Sequence, residues 1–187
     1  MEILTNNMGS VPNFPTMYQF DFFILQIDAD VAHRSYSDAG LEIEQEALSA
    51  GWGVLPCFHS CPPPDGTVSN LRSVLLSWLG VEQAGARTIL CIPSKSTEAW
   101  LAVAVYPHNL SLLKDLECTL NMESRLAALA RPRRIRKNVR EYRNHSGLVT
   151  KGWKTVRELC SQAEVFHREC TAIYNLQEKL LQETGSK

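Results

Sequence analysis

Residues 20–34 read FDFFILQIDADVAHR, and the fold turns on this stretch. Phe22 to Ile27 is apolar apart from Gln26. The run is too short and too rich in aromatic and β-branched residues to favour helix, so residues 20–27 are expected to form a buried strand. That strand runs into two acids one residue apart, Asp28 and Asp30. Side chains alternate along an extended chain, which places both carboxylates on one side. Carboxylates that close raise each other's pKa unless a cation lies between them. Mg²⁺ meets that need, taking one or two carboxylates while keeping several waters. Asp pairs also cap helices and shape turns, so the spacing alone leaves both readings open.

The sequence around this strand completes an alternating pattern. SDAGLEIEQEALSAGWG, residues 37–53, suits a helix capped at Ser37 or Asp38, with Leu41 and Leu48 facing inward and a glycine-rich stop. CPPPDGT, residues 61–67, reads as a loop from its proline run and Asp-Gly turn. Leu71, Val74, Leu75, Trp78 and Leu79 recur at helical spacing. ARTILCIP, residues 86–93, is a second short strand ended by Pro93. SKSTEAWLAVAVYP then opens a helix with serine and threonine caps and closes before Pro107. Strand, helix, helix, strand, helix and a largely helical C-terminal third imply an α/β fold, a parallel sheet flanked by helices. Three segments are expected: an irregular lead-in over 1–19, an α/β core over 20–130, and a basic, mainly helical extension over 131–187.

At 187 residues and 44% hydrophobic, the chain has room for one well-cored domain. No apolar segment approaches the roughly 20 residues of a membrane-spanning helix, and the N-terminal residues lack the basic start and apolar run of an export signal. Cys57, Cys61, Cys91, Cys118, Cys160 and Cys170 are scattered. They are read as mostly reduced and buried, and the protein as cytoplasmic with no membrane contact.

The near-neutral net charge conceals an asymmetry. Residues 131–157 hold ten Lys/Arg and one acid, Glu141, leaving nine basic and nineteen acidic residues elsewhere. Such a segment suggests contact with a polyanion. Arg133, Arg134, Arg136, Lys137, Arg140, Arg143, Lys151 and Lys154 are the candidate phosphate contacts of a nucleic acid. Tyr142 and Trp153 interleave with them and are placed to stack on unpaired bases. The plain alternative is a solvated helix face.

In parallel α/β folds, ligands gather outside the carboxyl ends of the strands. Asp28 and Asp30 follow the first strand and Glu98 follows the second. An acid in a helix's first turn is also favoured by the macrodipole, by roughly 0.3–1 kcal/mol, with no catalytic purpose. Lys95 reads either as a group stabilising a transition-state phosphate or as a solvated loop lysine. CFHSC, residues 57–61, offers two thiols and a histidine, but a closed zinc site needs four ligands and no second pair is evident. His33 and His59 read as loop histidines, and Ser94 and Ser96 as helix caps.

ILQIDADV at residues 24–31, followed by CIPSKSTEAWLAVAVYP at 91–107, resembles the TOPRIM-like proteins of prokaryotic defence and mobile-element loci. These are relatives of the OLD-type nucleases and the RloB-like group. SGLVTKGWKTVRELCSQAEVF, residues 146–166, with its Cys-x-x-Ala-x-x-Phe helix, adds to the likeness, which covers roughly residues 20–175. The resemblance implies four parallel strands sandwiched by helices, Mg²⁺ or Mn²⁺ at the sheet edge, and phosphodiester hydrolysis on nucleic acid, DNA before RNA. It also implies a prokaryotic or phage-related defence context with a protein partner such as an ATPase. On this resemblance Asp28, Asp30 and Glu98 hold the metal and serve catalysis, while Pro93 and Trp100 serve turn geometry and packing; Lys95 joins the candidate catalytic set because it stands three residues before Glu98. The family pattern opens with a further strand and a Glu-Gly motif, whereas Glu2 is the sole acid before Asp21 here. Two functions therefore stand as expectations: a metal-dependent endonuclease or nuclease subunit, and a catalytically incomplete scaffold that binds nucleic acid or a protein partner. A third class, the Asp-x-Asp enzymes that use nucleotide sugars, would need a nucleotide-binding half before the strand.

Overall fold

The computed structural model describes residues 22–184, with side chains described to residue 176. The expected lead-in, and Phe20 and Asp21 of the expected strand, lie outside the described residues. Strand β1 (Phe23–Gln26) pairs in parallel with β2 (Thr88–Cys91), Phe23 opposite Thr88 and Gln26 opposite Cys91. Two short 3-10 turns, Ala29–His33 and Tyr36–Ala39, lead from β1 into helices α1 (Leu41–Ala50) and α2 (Asp65–Trp78). After β2 come α3 (Glu98–Val105), α4 (Met122–Ala128), α5 (Val139–Lys151), α6 (Trp153–Leu159) and α7 (Ser161–Thr184). The expected order of strands and helices is present, and the protein is mixed α/β. Among the described residues the sheet has two strands, where the resemblance implied four.

Alternation along the second strand explains the layering. Leu90 and Ile92 point to one face and pack with Val68, Leu71 and Val74 of α2. Cys91 points to the other face and joins the larger cluster, which holds Trp100, Leu101 and Val103 of α3 with Val156, Cys160 and Ala163 further on. The segment after residue 131 is thus built into the same core as α3, with Ile135 buried in it. Trp153 meets Trp100 edge-on at 5.6 Å, and Phe166 lies 6.0 Å from Trp100. Cys160, Ala163 and Phe166 recur at helical spacing and all face this cluster. No helix among the described residues is long and apolar enough to cross a membrane.

Four expectations are corrected. Among the described residues the first strand is covered on one face: Leu25 and Ile27 pack toward α2, whereas Phe22 and Ile24 are 42% and 46% exposed. The Asp-Gly pair of residues 65–66 forms the first turn of α2 instead of a loop turn. In α1, Ala47 is the buried residue, and Leu41 and Leu48 are 72% and 80% exposed. The cap is displaced as well: Ser35 and Asp38 make a capping box on the preceding 3-10 turn, and Gly40 is the N-cap of α1. Gly51 does end the helix, in the left-handed region at φ 66°. Changing Leu41 and Leu48 together to Gln is accordingly expected to shift stability by no more than about 0.5 kcal/mol. Leu71→Ala, at a fully buried site, is expected to cost about 2–5 kcal/mol. Urea denaturation of the two variants beside the parent checks the contrast.

Four cysteines are free, of which Cys91 and Cys160 are buried. Burial pushes both thiols up to about 12, which makes them inert packing groups at neutral pH. Cys61 is instead bonded to Cys118, 57 residues away. That bond takes Cys61, and His59 Nε2 lies at the hydrogen-bonding distance of 2.7 Å from Asn70 Nδ2, so of the CFHSC groups expected as zinc ligands only the Cys57 thiol is left free.

Candidate functional site

The backbone continues in register beyond the strands. Ile27 N–H donates to Cys91 O, Ala29 N–H to Pro93 O and Asp30 N–H to Lys95 O, each at 3.1 Å. These bonds hold the Asp28–Asp30 segment against the loop before α3, in which residues 92–96 are all buried. Both acid positions and Lys95 therefore meet at the carboxyl ends of the two strands, where an α/β fold places ligands.

The strand geometry ends at Gln26, so Asp28 and Asp30 are not related by strand alternation. Asp28 is extended and precedes a 3-10 turn that contains Asp30. Asp28 is half-buried and Asp30 exposed. Asp28 Oδ1 accepts from Gln26 Nε2 at 3.0 Å and from Thr97 N–H at 3.3 Å. The carboxylate thereby caps α3 from across the sheet. Thr97, the N-cap residue itself, makes no side-chain capping bond, and Ser94 Oγ donates to Glu117 Oε1 at 2.6 Å. The serine–threonine capping expected here is replaced by Asp28. Burial raises the Asp28 carboxyl above its ordinary value, and the charges of Glu98 and then Asp30 raise it further. Burial likewise raises Asp30, against the lowering charge of Lys137.

Glu98 is 2% exposed, far more buried than a helix-start acid facing solvent. Its Oε1 accepts from the Tyr142 hydroxyl at 2.5 Å and pairs with Lys137 Nζ at 3.2 Å. Its Oε2 is buried with no hydrogen-bond partner among the described residues. Burial pushes this carboxyl up. Polar contacts with Tyr142, its own N–H, Ser96 and Lys137 outweigh that and hold it below the ordinary glutamate range. The contacts from Ser96 and the Glu98 N–H do not reach hydrogen-bond geometry at Oε2.

Lys95 is 3% exposed, so it is not a solvated loop lysine. Its Nζ lies 3.0 Å from His33 Nε2, and the His33 ring stacks on Phe58 with centroids 4.5 Å apart. Burial lowers both groups below their ordinary values, and Lys95 lowers His33 further. A neutral His33 accepting from Lys95 fits that electrostatic setting.

The basic segment divides. Lys137 turns inward to Glu98 and also lies 3.6 Å from Glu123. Tyr142 and Trp153, expected to stack on bases, are instead used in the protein, Tyr142 on Glu98 and Trp153 in the aromatic cluster. Lys154 lies 3.9 Å from Glu158 on the surface. Arg133, Arg136, Arg140, Arg143 and Lys151 are exposed, and Arg134 is half-buried. Tyr142, Lys137 and His33 are the site residues that sequence reasoning did not assign to the acids or to Lys95. Tyr142 lies 44 residues from Glu98, and no local motif signals the contact.

The site is thus a set of carboxylates with a buried lysine at the end of a small parallel sheet. Among the described residues, no three Asp, Glu, His or Cys side chains are grouped to hold a metal ion. Comparisons with protein-family models, curated proteins and solved structures give no match for this chain.

Proposed function

We propose that the protein is a TOPRIM-like, divalent-metal-dependent nuclease or nuclease subunit acting on nucleic-acid phosphodiesters. The observation that carries this reading is the unpartnered, buried Oε2 of Glu98 among the strand-end carboxylates. A buried charged oxygen without a partner is costly, and a cation relieves it. The donor set fits Mg²⁺ or Mn²⁺ in its open mode, in which one or two carboxylates bind and waters complete the shell. Asp28, Asp30 and Glu98 are not grouped closely enough to chelate an ion together, so one or two of them would hold it with waters completing its shell, and when bound it would supply charge neutralisation at the scissile phosphate. The protein's own groups then have separate tasks. Tyr142 and Lys137 fix the Glu98 carboxylate in its ionised form. Asp28 positions the start of α3, which carries Glu98. Lys95, kept dry and oriented by His33, offers a positive charge to phosphate oxygens as they gain charge. The exposed arginines of the basic segment bind the strand without reading its sequence.

A second reading, a scaffold that binds without turnover, is favoured by Lys137, which already neutralises one oxygen of Glu98. Incubation with supercoiled plasmid separates the two. The nuclease reading expects nicking that requires Mg²⁺ or Mn²⁺ and disappears in the Asp28→Ala/Asp30→Ala variant. Intact plasmid after incubation with folded, metal-supplied protein supports the scaffold.

A further inference from the structure

Arg131, Arg134 and Arg136 line, with Pro132 and Glu141, an open cavity of about 240 Å³. Glu141 places this cavity at the first turn of α5. The volume falls below the roughly 300–1,000 Å³ of sites that enclose drug-sized ligands, and suits a single small polar group. The segment bearing the arginines is fastened on its inner side. Ile135, between Arg134 and Arg136, is 1% exposed, and its N–H donates to Leu126 O at 3.3 Å. Arg133 N–H donates to Ala130 O at 2.9 Å, and Arg134 Nε to Leu129 O at 3.2 Å. The Tyr106 hydroxyl donates to Arg133 O. The arginine side chains therefore start from a fixed backbone, which reduces the ordering cost of binding.

None of these three guanidiniums forms an ion pair among the described residues. Three cations lining one small cavity repel one another, with Glu141 the sole acid in its wall. A tetrahedral oxyanion relieves that repulsion, and planar guanidinium donors match its oxygens in pairs. Lys137, one residue beyond Arg136, reaches Glu98 in the acidic site. The same short segment thus faces the cavity on one side and the carboxylates on the other.

We propose that this cavity is a phosphate cradle that grips one phosphodiester group of a nucleic-acid strand and leads that strand toward the acidic site. The ligand class rests on the nucleic-acid reading above; the cradle itself does not depend on metal or turnover. Glu141 limits its affinity.

The test is fluorescence anisotropy of a labelled single-stranded oligonucleotide in EDTA, over a range of salt, with thermal melting as the check on folding. Arg131→Ala/Arg136→Ala is expected to weaken binding at least about tenfold and to lower the slope of log affinity against log salt by about 0.7, the increment for one phosphate of a single strand. Arg131→Lys/Arg136→Lys keeps the slope but binds more weakly than wild type, because the paired donors are gone. Glu141→Gln is expected to tighten binding about two- to fivefold, the scale of one surface charge interaction. Normal affinity and slope in the folded double-alanine variant would overturn the cradle. Calorimetry with inorganic phosphate forms the second arm: phosphate binding more tightly than the oligonucleotide, and lost in the same variant, would replace the strand with a free phosphate. Since binding is read in EDTA, a cradle failure beside metal-dependent nicking leaves the nuclease reading intact. Wild-type protein that binds no oligonucleotide in EDTA overturns the cradle, and if it also leaves plasmid intact with Mg²⁺ or Mn²⁺ the nuclease reading falls with it.

Discussion

Asp28→Asn combined with Asp30→Asn is expected to remove metal-dependent cleavage and at the same time stabilise the metal-free protein. Loss of groups that merely orient metal ligands costs about 10–100-fold in activity, so removal of two candidate ligands should cost more than about 100-fold. The stability gain follows from the carboxyl groups' environment. Both are raised in the folded protein, by burial first and, for Asp28, by Glu98 and Asp30 next. A raised carboxyl contributes stability that is fully present below its unfolded value, near the ordinary 3.8, and is lost as pH rises through the raised folded value. At pH 7 the ionised pair is therefore a net liability, and the neutral amides remove it. The amide introduced by Asp28→Asn retains an oxygen for the Thr97 N–H, so α3 keeps its cap. The melting temperature of the variant should exceed that of wild type at pH 7, and the difference should vanish below the ordinary aspartate range. For a chain of this size each 1 kcal/mol corresponds to about 2–4 °C. Metal should reverse the order: at a free concentration one hundred times its Kd, an ion bound only by the folded state adds about 2.7 kcal/mol. Thermal melts of both proteins with and without Mn²⁺, across pH, give the full comparison.

Tyr142→Phe combined with Lys137→Met is expected to lose about 3–5 kcal/mol, the scale for stripping the partners from a buried charge. Glu98 would then keep a 2% exposed carboxylate without its phenolic donor or its cation. Tyr142→Phe alone should cost about 1.5–3 kcal/mol, as for a hydrogen bond to an ionised group. Adding Glu98→Gln to the double variant should recover most of the loss, because the buried group is then neutral. The pH dependence has a definite sign. In wild type the carboxyl is held below its ordinary 4.5, so its contribution is present above that value and is lost as pH falls through the lowered folded value. Without Tyr142 and Lys137, burial prevails and the group titrates high. Its contribution then declines as pH rises, so the deficit of the double variant should shrink toward pH 4. Urea denaturation of the four proteins at several pH values reads both the coupling and its sign.

These two expectations concern residues that the sequence exposed to different degrees. Asp28, Asp30 and Glu98 stood out because strand ends and helix starts are local patterns, visible in a few consecutive residues. Tyr142 and Lys137 were read as surface groups of a basic segment, since pairing across 44 residues of chain leaves no local trace. Lys95 illustrates the same limit: a lysine between two serines looks solvated until the fold buries it beside His33, 62 residues away. Leu41 and Leu48 misled in the opposite direction, since their helical spacing is sound but Ala47 occupies the packed face. The Cys61–Cys118 bond lay hidden for want of any spacing rule over 57 residues. Strand positions, by contrast, were recovered within a few residues, because a short apolar run bounded by Asp or Pro has few other conformations available.

The central claim is that the carboxylates at the strand ends take up a divalent cation. Titration of Mn²⁺ into the protein, with free ion followed by electron paramagnetic resonance, tests it without reliance on catalysis. The account predicts saturable binding by wild type that is lost in Asp28→Asn/Asp30→Asn and weakened in Glu98→Gln, each variant remaining folded by circular dichroism. Mn²⁺ left free by folded wild type, or bound equally well by the double-asparagine variant, would contradict it.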